Sequence, residues 1–269
     1  MYYIEVEEGI KILVDDLNPR GKDVIFLIHG WPLNHKMFEY QLDLLPEYGY
    51  RCISIDLRGF GSSDKPWKGY SYDRLSDDVR VIIETLELKN ITLVGFSMGA
   101  AVAIRYMSRY YSYNVSKLVL MSPAAPSFTR RKGYPYGMDV NGVEDLIRQA
   151  RENRPEMMAG IGKIFFAGNT TDNFMNWFQN LGLEASGHST IETARSLKDE
   201  DLRSEINKIN VTTGIFHGKM DKICPFEFAE ELNRGIKNSQ LYPFEFSGHG
   251  IFHDELGKFN SELLKFIKG

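Results

Sequence analysis

Cysteine is scarce in this chain: only Cys52 and Cys224 occur in 269 residues, and they stand far apart. That excludes a disulfide scaffold and any cysteine-based zinc cluster. An excess of one charge is also lacking. The 32 Lys and Arg residues against 36 Asp and Glu leave a net charge of −4, so no basic face dominates and nucleic acid is not an expected partner. Long apolar runs are absent. The longest uncharged stretch, Asn90 to Ile104, is shorter than the ~18 residues of a membrane span, and glycines and a serine interrupt it. The opening residues Met1-Tyr2-Tyr3-Ile4-Glu5 carry neither a basic lead nor an apolar run, so no signal peptide, no membrane attachment and a cytoplasmic location are expected.

What is present is the composition of a globular protein, with 43% hydrophobic and 25% charged residues, which excludes disordered and fibrous classes. The length falls between one domain and two, and a chain of this size buries roughly three quarters of its unfolded surface.

Apolar periodicity gives the element order. Tyr2–Glu7 and Ile10–Asp15, joined by Glu8-Gly9, predict a hairpin. Val24–Ile28 is a continuous apolar run of the kind found in strands buried on both faces. Helix spacing follows over Met37–Leu45, then a short strand at Cys52–Ile55. Tyr72, Leu75, Val79, Ile82, Ile83 and Leu86 recur at helical steps. Ile91–Val94 and Val115–Met121 predict strands, with an alanine-rich helix over Met98–Tyr111 between them. This alternation implies a mostly parallel sheet with helices on both faces. From Pro123 to Lys208 the pattern changes to helical stripes, including Met157, Met158, Ile161 and Phe165, and predicts a helical cap inserted at residues 123–208. Alternation resumes with Val211–Phe216, a helix over Phe226–Leu232, Gln240–Phe244 and a closing helix from Asp254. The expected division is a core in two parts, residues 1–122 and 209–269, around the cap.

The chemistry centres on Gly95-Phe96-Ser97-Met98-Gly99. A Gly-x-Ser-x-Gly run between a buried strand and a helix is the setting of a nucleophile elbow, in which glycines allow the sharp turn that lifts the serine hydroxyl clear of the sheet. The helix amides behind it favour negative charge. A serine needs a base, and the base an orienting acid. Of the six histidines, His249 lies in a loop after the last strand, where a base must sit to reach Ser97. His253 is the rival, expected to face solvent in the first turn of the closing helix. His29 and His217 suit structural hydrogen bonding, and His35 and His188 have no evident partner. Asp221, in the loop after Val211–Phe216, is the acid candidate. The alternative position one strand earlier, Met121-Ser122-Pro123-Ala124, offers no carboxylate. Asp56 and Asp64 belong to a glycine-rich loop and suit turn and salt-bridge roles. An oxyanion hole needs two convergent amides, and Met98 and Trp31 are placed to supply them; Pro32 has no amide hydrogen to give. No metal-ligand spacing, P-loop or dinucleotide fingerprint occurs, so no metal or cofactor is expected.

Jointly, His29-Gly-Trp-Pro-Leu33, Asp56-Leu-Arg-Gly-Phe-Gly-Ser-Ser-Asp-Lys-Pro66, Gly95–Gly99, His217-Gly-Lys-Met-Asp221 and Gly248-His249-Gly250 resemble the α/β-hydrolase-fold serine hydrolases. Within them the chain is similar to the cofactor-free haloperoxidase, perhydrolase and arylesterase group. It departs from that group's common Gly-Gly ending of the elbow, because Ala100 follows Gly99. The resemblance implies an α/β-hydrolase fold and ester hydrolysis through an acyl-enzyme on Ser97, with His249 as base, Asp221 as its partner and the Trp31 and Met98 amides holding the oxyanion. A small apolar or aromatic ester would be the substrate. The Trp31-Pro32 pair also goes with perhydrolysis, where hydrogen peroxide replaces water. Serine at the elbow, where dehalogenases and epoxide hydrolases of similar architecture carry aspartate, points to acyl transfer. Lactone, thioester or C–C bond hydrolysis and a slow-turnover signalling receptor remain open alternatives on the same residues.

Overall fold

The computed structural model describes residues 1–269. Eight strands form one sheet: β1 (Tyr2–Glu7), β2 (Ile10–Leu17), β3 (Val24–Ile28), β4 (Arg51–Ile55), β5 (Ile91–Phe96), β6 (Val115–Met121), β7 (Thr212–Gly218) and β8 (Ser239–Phe244). Their order across the sheet is β1-β2-β4-β3-β5-β6-β7-β8. The β1/β2 hairpin, turning at Gly9 with φ +72°, is antiparallel, as is the β2/β4 pair. Every pairing from β4 through β3 to β8 is parallel.

A parallel sheet must be covered on both faces, because its crossover helices lie there. Alternation along β3 shows the division: Phe26 and Ile28 enter one core, Ile25 and Leu27 the other. The first core takes α2 (Tyr72–Thr85), α3 (Met98–Arg109) and α7 (Glu227–Gly235), and the second takes α1 (Glu39–Leu44) and α9 (Leu256–Lys268). The helix expected over Met37–Leu45 is divided: two short 3₁₀ turns, His35–Phe38 and Leu45–Tyr48, flank α1. Pro46, which has no N–H, starts the second of them. The closing helix is also divided, into α8 (Ile251–Asp254) and α9, with Glu255 outside helical geometry between them.

Residues 123–208 carry three further helices between β6 and β7: α4 (Val140–Phe165), α5 (Asp172–Leu183) and α6 (Gly187–Asp199). Two are started by hydroxyl caps, Thr171 accepting from the Phe174 amide and Ser186 from the Ser189 amide. Helix α4 is two helical pieces meeting at Asn153, where φ is −156° and ψ 78°. Pro155 explains the break, since it removes an amide and clashes with the preceding turn. The Asn153 side chain accepts from the Glu156 amide at 3.2 Å, which starts the second piece as a cap would. No helix is long and apolar enough to cross a membrane.

Candidate active site

Ser97 sits between β5 and α3 with φ 54° and ψ −117°, a conformation L residues rarely adopt. The turn is feasible only because its flanks lack side chains. A Cβ on Gly95 would lie 2.5 Å from the Gly99 carbonyl oxygen, and one on Gly99 would lie 2.3 Å from that of Ile28. Backbone bonds fix the turn, with the Ser97 amide donating to Met121 O at 2.9 Å and Ser97 O accepting from the Ala124 amide at 3.1 Å. The side chain therefore stands at the carboxyl edge of the sheet, ahead of the amino end of α3.

The loop after β3 runs alongside it. A Cβ on Gly30 would meet the Ser97 Cβ at 2.9 Å, so a glycine here lets the backbone pass against the serine. The Trp31 amide makes no backbone hydrogen bond, while its indole N–H donates to Thr190 O of α6 at 2.9 Å. On the far side of the sheet order, β7 and β8 deliver the other two candidates. His249 Nδ1–H donates to Asp221 Oδ2 at 2.7 Å, and both side chains are buried. The other Asp221 oxygen accepts from the Ile223 and Cys224 amides at 2.8 and 2.9 Å. Burial alone would raise the Asp221 pKa, but the charge of His249 and hydrogen bonds from His217 and His249 outweigh it and hold the carboxyl well below its usual range.

Ser97, His249 and Trp31 line one cavity. Phe128 from the segment after β6, Leu146, Ile161 and Phe165 from the two pieces of α4, and Leu197 from α6 contribute to an almost wholly apolar wall. The His249 ring is packed against Phe96 and Phe165, each 4.9 Å away between ring centres. Thus all five residues singled out from the sequence, Ser97, Asp221, His249, Trp31 and Met98, meet around the elbow and this cavity or directly behind it.

The remaining histidines separate cleanly. His29 Nε2 accepts from the Leu57 amide at 3.0 Å, and Nδ1 faces Gly30 O at 2.9 Å. His35, without a partner in the sequence reading, pairs with Asp56 at 2.7 Å. His188 stacks on Trp67 with ring centres 3.7 Å apart. His253 is not solvent-facing as expected: it is half-buried and stacked on Phe174 at 3.9 Å, because α8 turns that edge towards α5.

Three supporting residues had no site role in the sequence reading. His217 lies 3.2 Å from Asp221 Oδ2 while donating to Cys224 O at 2.8 Å; its four-residue spacing from Asp221 was a readable signal. Ser122 donates to His249 O at 2.8 Å. Asp254 accepts from the Gly248 amide beside His249. The last two follow from how loops meet, and no local pattern marks them.

The fold and this arrangement of elbow, loop acid and loop histidine are those of the α/β hydrolases. The chain belongs to the alpha/beta hydrolase fold family, whose model matches residues 23–256. It is 52% identical, over 98% of each chain, to the AB hydrolase superfamily protein YisY of Bacillus subtilis (strain 168). Among solved structures it superposes with a TM-score of 0.97 on an esterase (EaEST) from Exiguobacterium antarcticum, at 47% identity over 99% of each chain. A bromoperoxidase from Bacillus anthracis matches with a TM-score of 0.95 and 32% identity, over 100% of this chain and 99% of that one.

Proposed function

We propose that this protein is a serine-dependent carboxylic ester hydrolase working through an acyl-enzyme. The observation that carries the reading is the 2.7 Å bond between His249 Nδ1 and Asp221 Oδ2, with His249 and the strained Ser97 lining one apolar cavity. In the first half-reaction the Ser97 hydroxyl attacks the ester carbonyl as His249 Nε2 takes its proton. Asp221 keeps Nδ1 protonated and stabilises the imidazolium. The Trp31 and Met98 amides hold the oxyanion, a contribution of about 3 kcal/mol for each donor removed in comparable sites. The C–O bond to the leaving group then breaks, and His249 returns the proton to the departing alcohol. Water, deprotonated by His249, attacks the acyl-enzyme and releases the acid.

Residues 123–208 act as the cap that roofs the acyl chain, and the apolar wall favours small, apolar or aromatic esters. A second acceptor is supported by Pro32, next to the oxyanion loop residue Trp31, and by the bromoperoxidase likeness. Hydrogen peroxide in the place of water would release a peroxyacid.

The test is labelling by a fluorophosphonate probe together with an ester panel of graded acyl length, with and without peroxide. One labelled serine, lost in Ser97→Ala along with turnover, is the expected result. Labelling or turnover that survives Ser97→Ala overturns the assignment. Peroxyacid formation decides the second acceptor.

A further inference from the structure

We infer that the site takes esters bearing a second, free carboxylate, and that Lys222 recognises it. The inference rests on the ester-hydrolase reading and adds a substrate class to it. Fourteen residues line the cavity, and eleven are hydrophobic. The other three are Ser97, His249 and Lys222. Ser97 and His249 are committed to bond making and proton transfer. The one further side-chain donor on the wall, the Trp31 indole, is taken by Thr190 O. Lys222 is thus the single charged side chain on the wall, and no carboxylate faces it there.

Its neighbours are all engaged. The ion pairs of this loop run from Lys219 to Glu245 and from His217 and His249 to Asp221, and none includes Lys222. The adjacent Asp221 carboxylate is fully buried and spent on two histidines and two amides, so it leaves no acceptor for the ammonium. Lys222 is solvent-exposed, with Ile223 on the same wall. A lysine in this position lays its apolar stem along the wall and keeps its charged head in water at the rim. A ligand that is apolar through its middle and anionic at its end satisfies both surfaces. A neutral ester leaves the cation unused, and a cationic one meets repulsion.

The experiment compares kcat/KM for monomethyl adipate with that for methyl heptanoate, an acyl-side pair of similar length. A second pair, 6-acetoxyhexanoate and hexyl acetate, places the carboxylate on the alcohol side. The wild-type protein should prefer the anionic member of one pair, and that preference identifies the side. Exposed ion pairs are modest, so Lys222→Met should lower the anionic-to-neutral ratio about two- to fivefold, and Lys222→Glu should lower it further. Raising the salt concentration should erode the wild-type preference towards that of Lys222→Met. A ratio equal in wild type and Lys222→Met for both pairs overturns the role of Lys222, provided neutral esters still turn over in a Ser97-dependent way. Loss of that Ser97 dependence would instead remove the ester-hydrolase reading beneath it.

Discussion

The Asp254 carboxylate accepts a hydrogen bond from the amide of Gly248, 2.8 Å away, and so holds the chain immediately before His249. The same carboxylate accepts from the Ala167 and Gly168 amides at 2.9 and 3.1 Å, just beyond α4. One side chain therefore ties the histidine loop to the helix whose last turns wall the cavity. Asp254→Ala should cost about 2 kcal/mol of stability, since hydrogen bonds to a charged acceptor are lost. It should also lower kcat by roughly ten- to a hundredfold through misplacement of His249, with a smaller change in KM. Asp254→Asn, which keeps one acceptor oxygen, should lie between. A lowered melting temperature with kcat intact would make Asp254 a structural residue only.

The backbone of Ser97 makes a second expectation. Strain at φ 54°, ψ −117° costs a non-glycine residue about 1–3 kcal/mol, more than the ~0.5–1 kcal/mol that glycine loses in conformational freedom. Ser97→Gly should therefore be inactive yet melt about 2 °C or more above wild type. A variant that melts lower would show the turn to be relaxed.

Acid sensitivity should trace in part to His29. Burial pulls its pKa down from 6.5 to about 4, because a protonated ring would lose its hydration and could no longer accept from the Leu57 amide. The unfolded chain takes up this proton first as the pH falls. The stability tied to neutral His29 is thus fully present above about pH 6.5 and is lost as the pH falls through about 4, a span worth roughly 3 kcal/mol. Denaturant melts between pH 7 and 4 should show a shallower acid limb in His29→Gln than in wild type. Parallel curves would place the sensitivity elsewhere.

Two glycines should respond oppositely to alanine. At Gly99 the new methyl would lie 2.3 and 2.5 Å from the Ile28 and His29 carbonyl oxygens, backbone atoms that cannot move aside, and a loss of about 3 kcal/mol is expected. At Gly160, inside α4, nothing lies within 4 Å, so alanine should gain about 0.5–1 kcal/mol from the stiffer unfolded chain. Thermal melts of the two variants check both signs.

Much of this molecule is legible in its sequence, because its strands and elbow are local patterns. The apolar run Val24–Ile28 and the glycines around Ser97 carry their meaning within a few residues. The loops that carry Asp221 and His249, after the strands expected to end at Phe216 and Phe244, then have to meet the elbow at Ser97. What the sequence hid depends on how distant segments rest on one another. Trp31 donates to Thr190 across 159 positions, and His35 finds Asp56 only once the loops after β3 and β4 lie side by side. His253 departs from its expected solvent exposure for the same reason: its surroundings are set by Phe174 of α5, and no periodicity reports them.

The break in α4 bears on the shape of the cavity. Val143 and Leu146 precede Asn153, and Ile161 and Phe165 follow it, and all four wall the cavity. Adding or deleting one residue in the piece after the break would turn its wall positions by about 100° about the helix axis without touching a strand. A single such length change would exchange a whole set of substrate-facing side chains at once. A change of chain length there would therefore reshape the cavity while leaving the elbow and the loops at the sheet edge as they are.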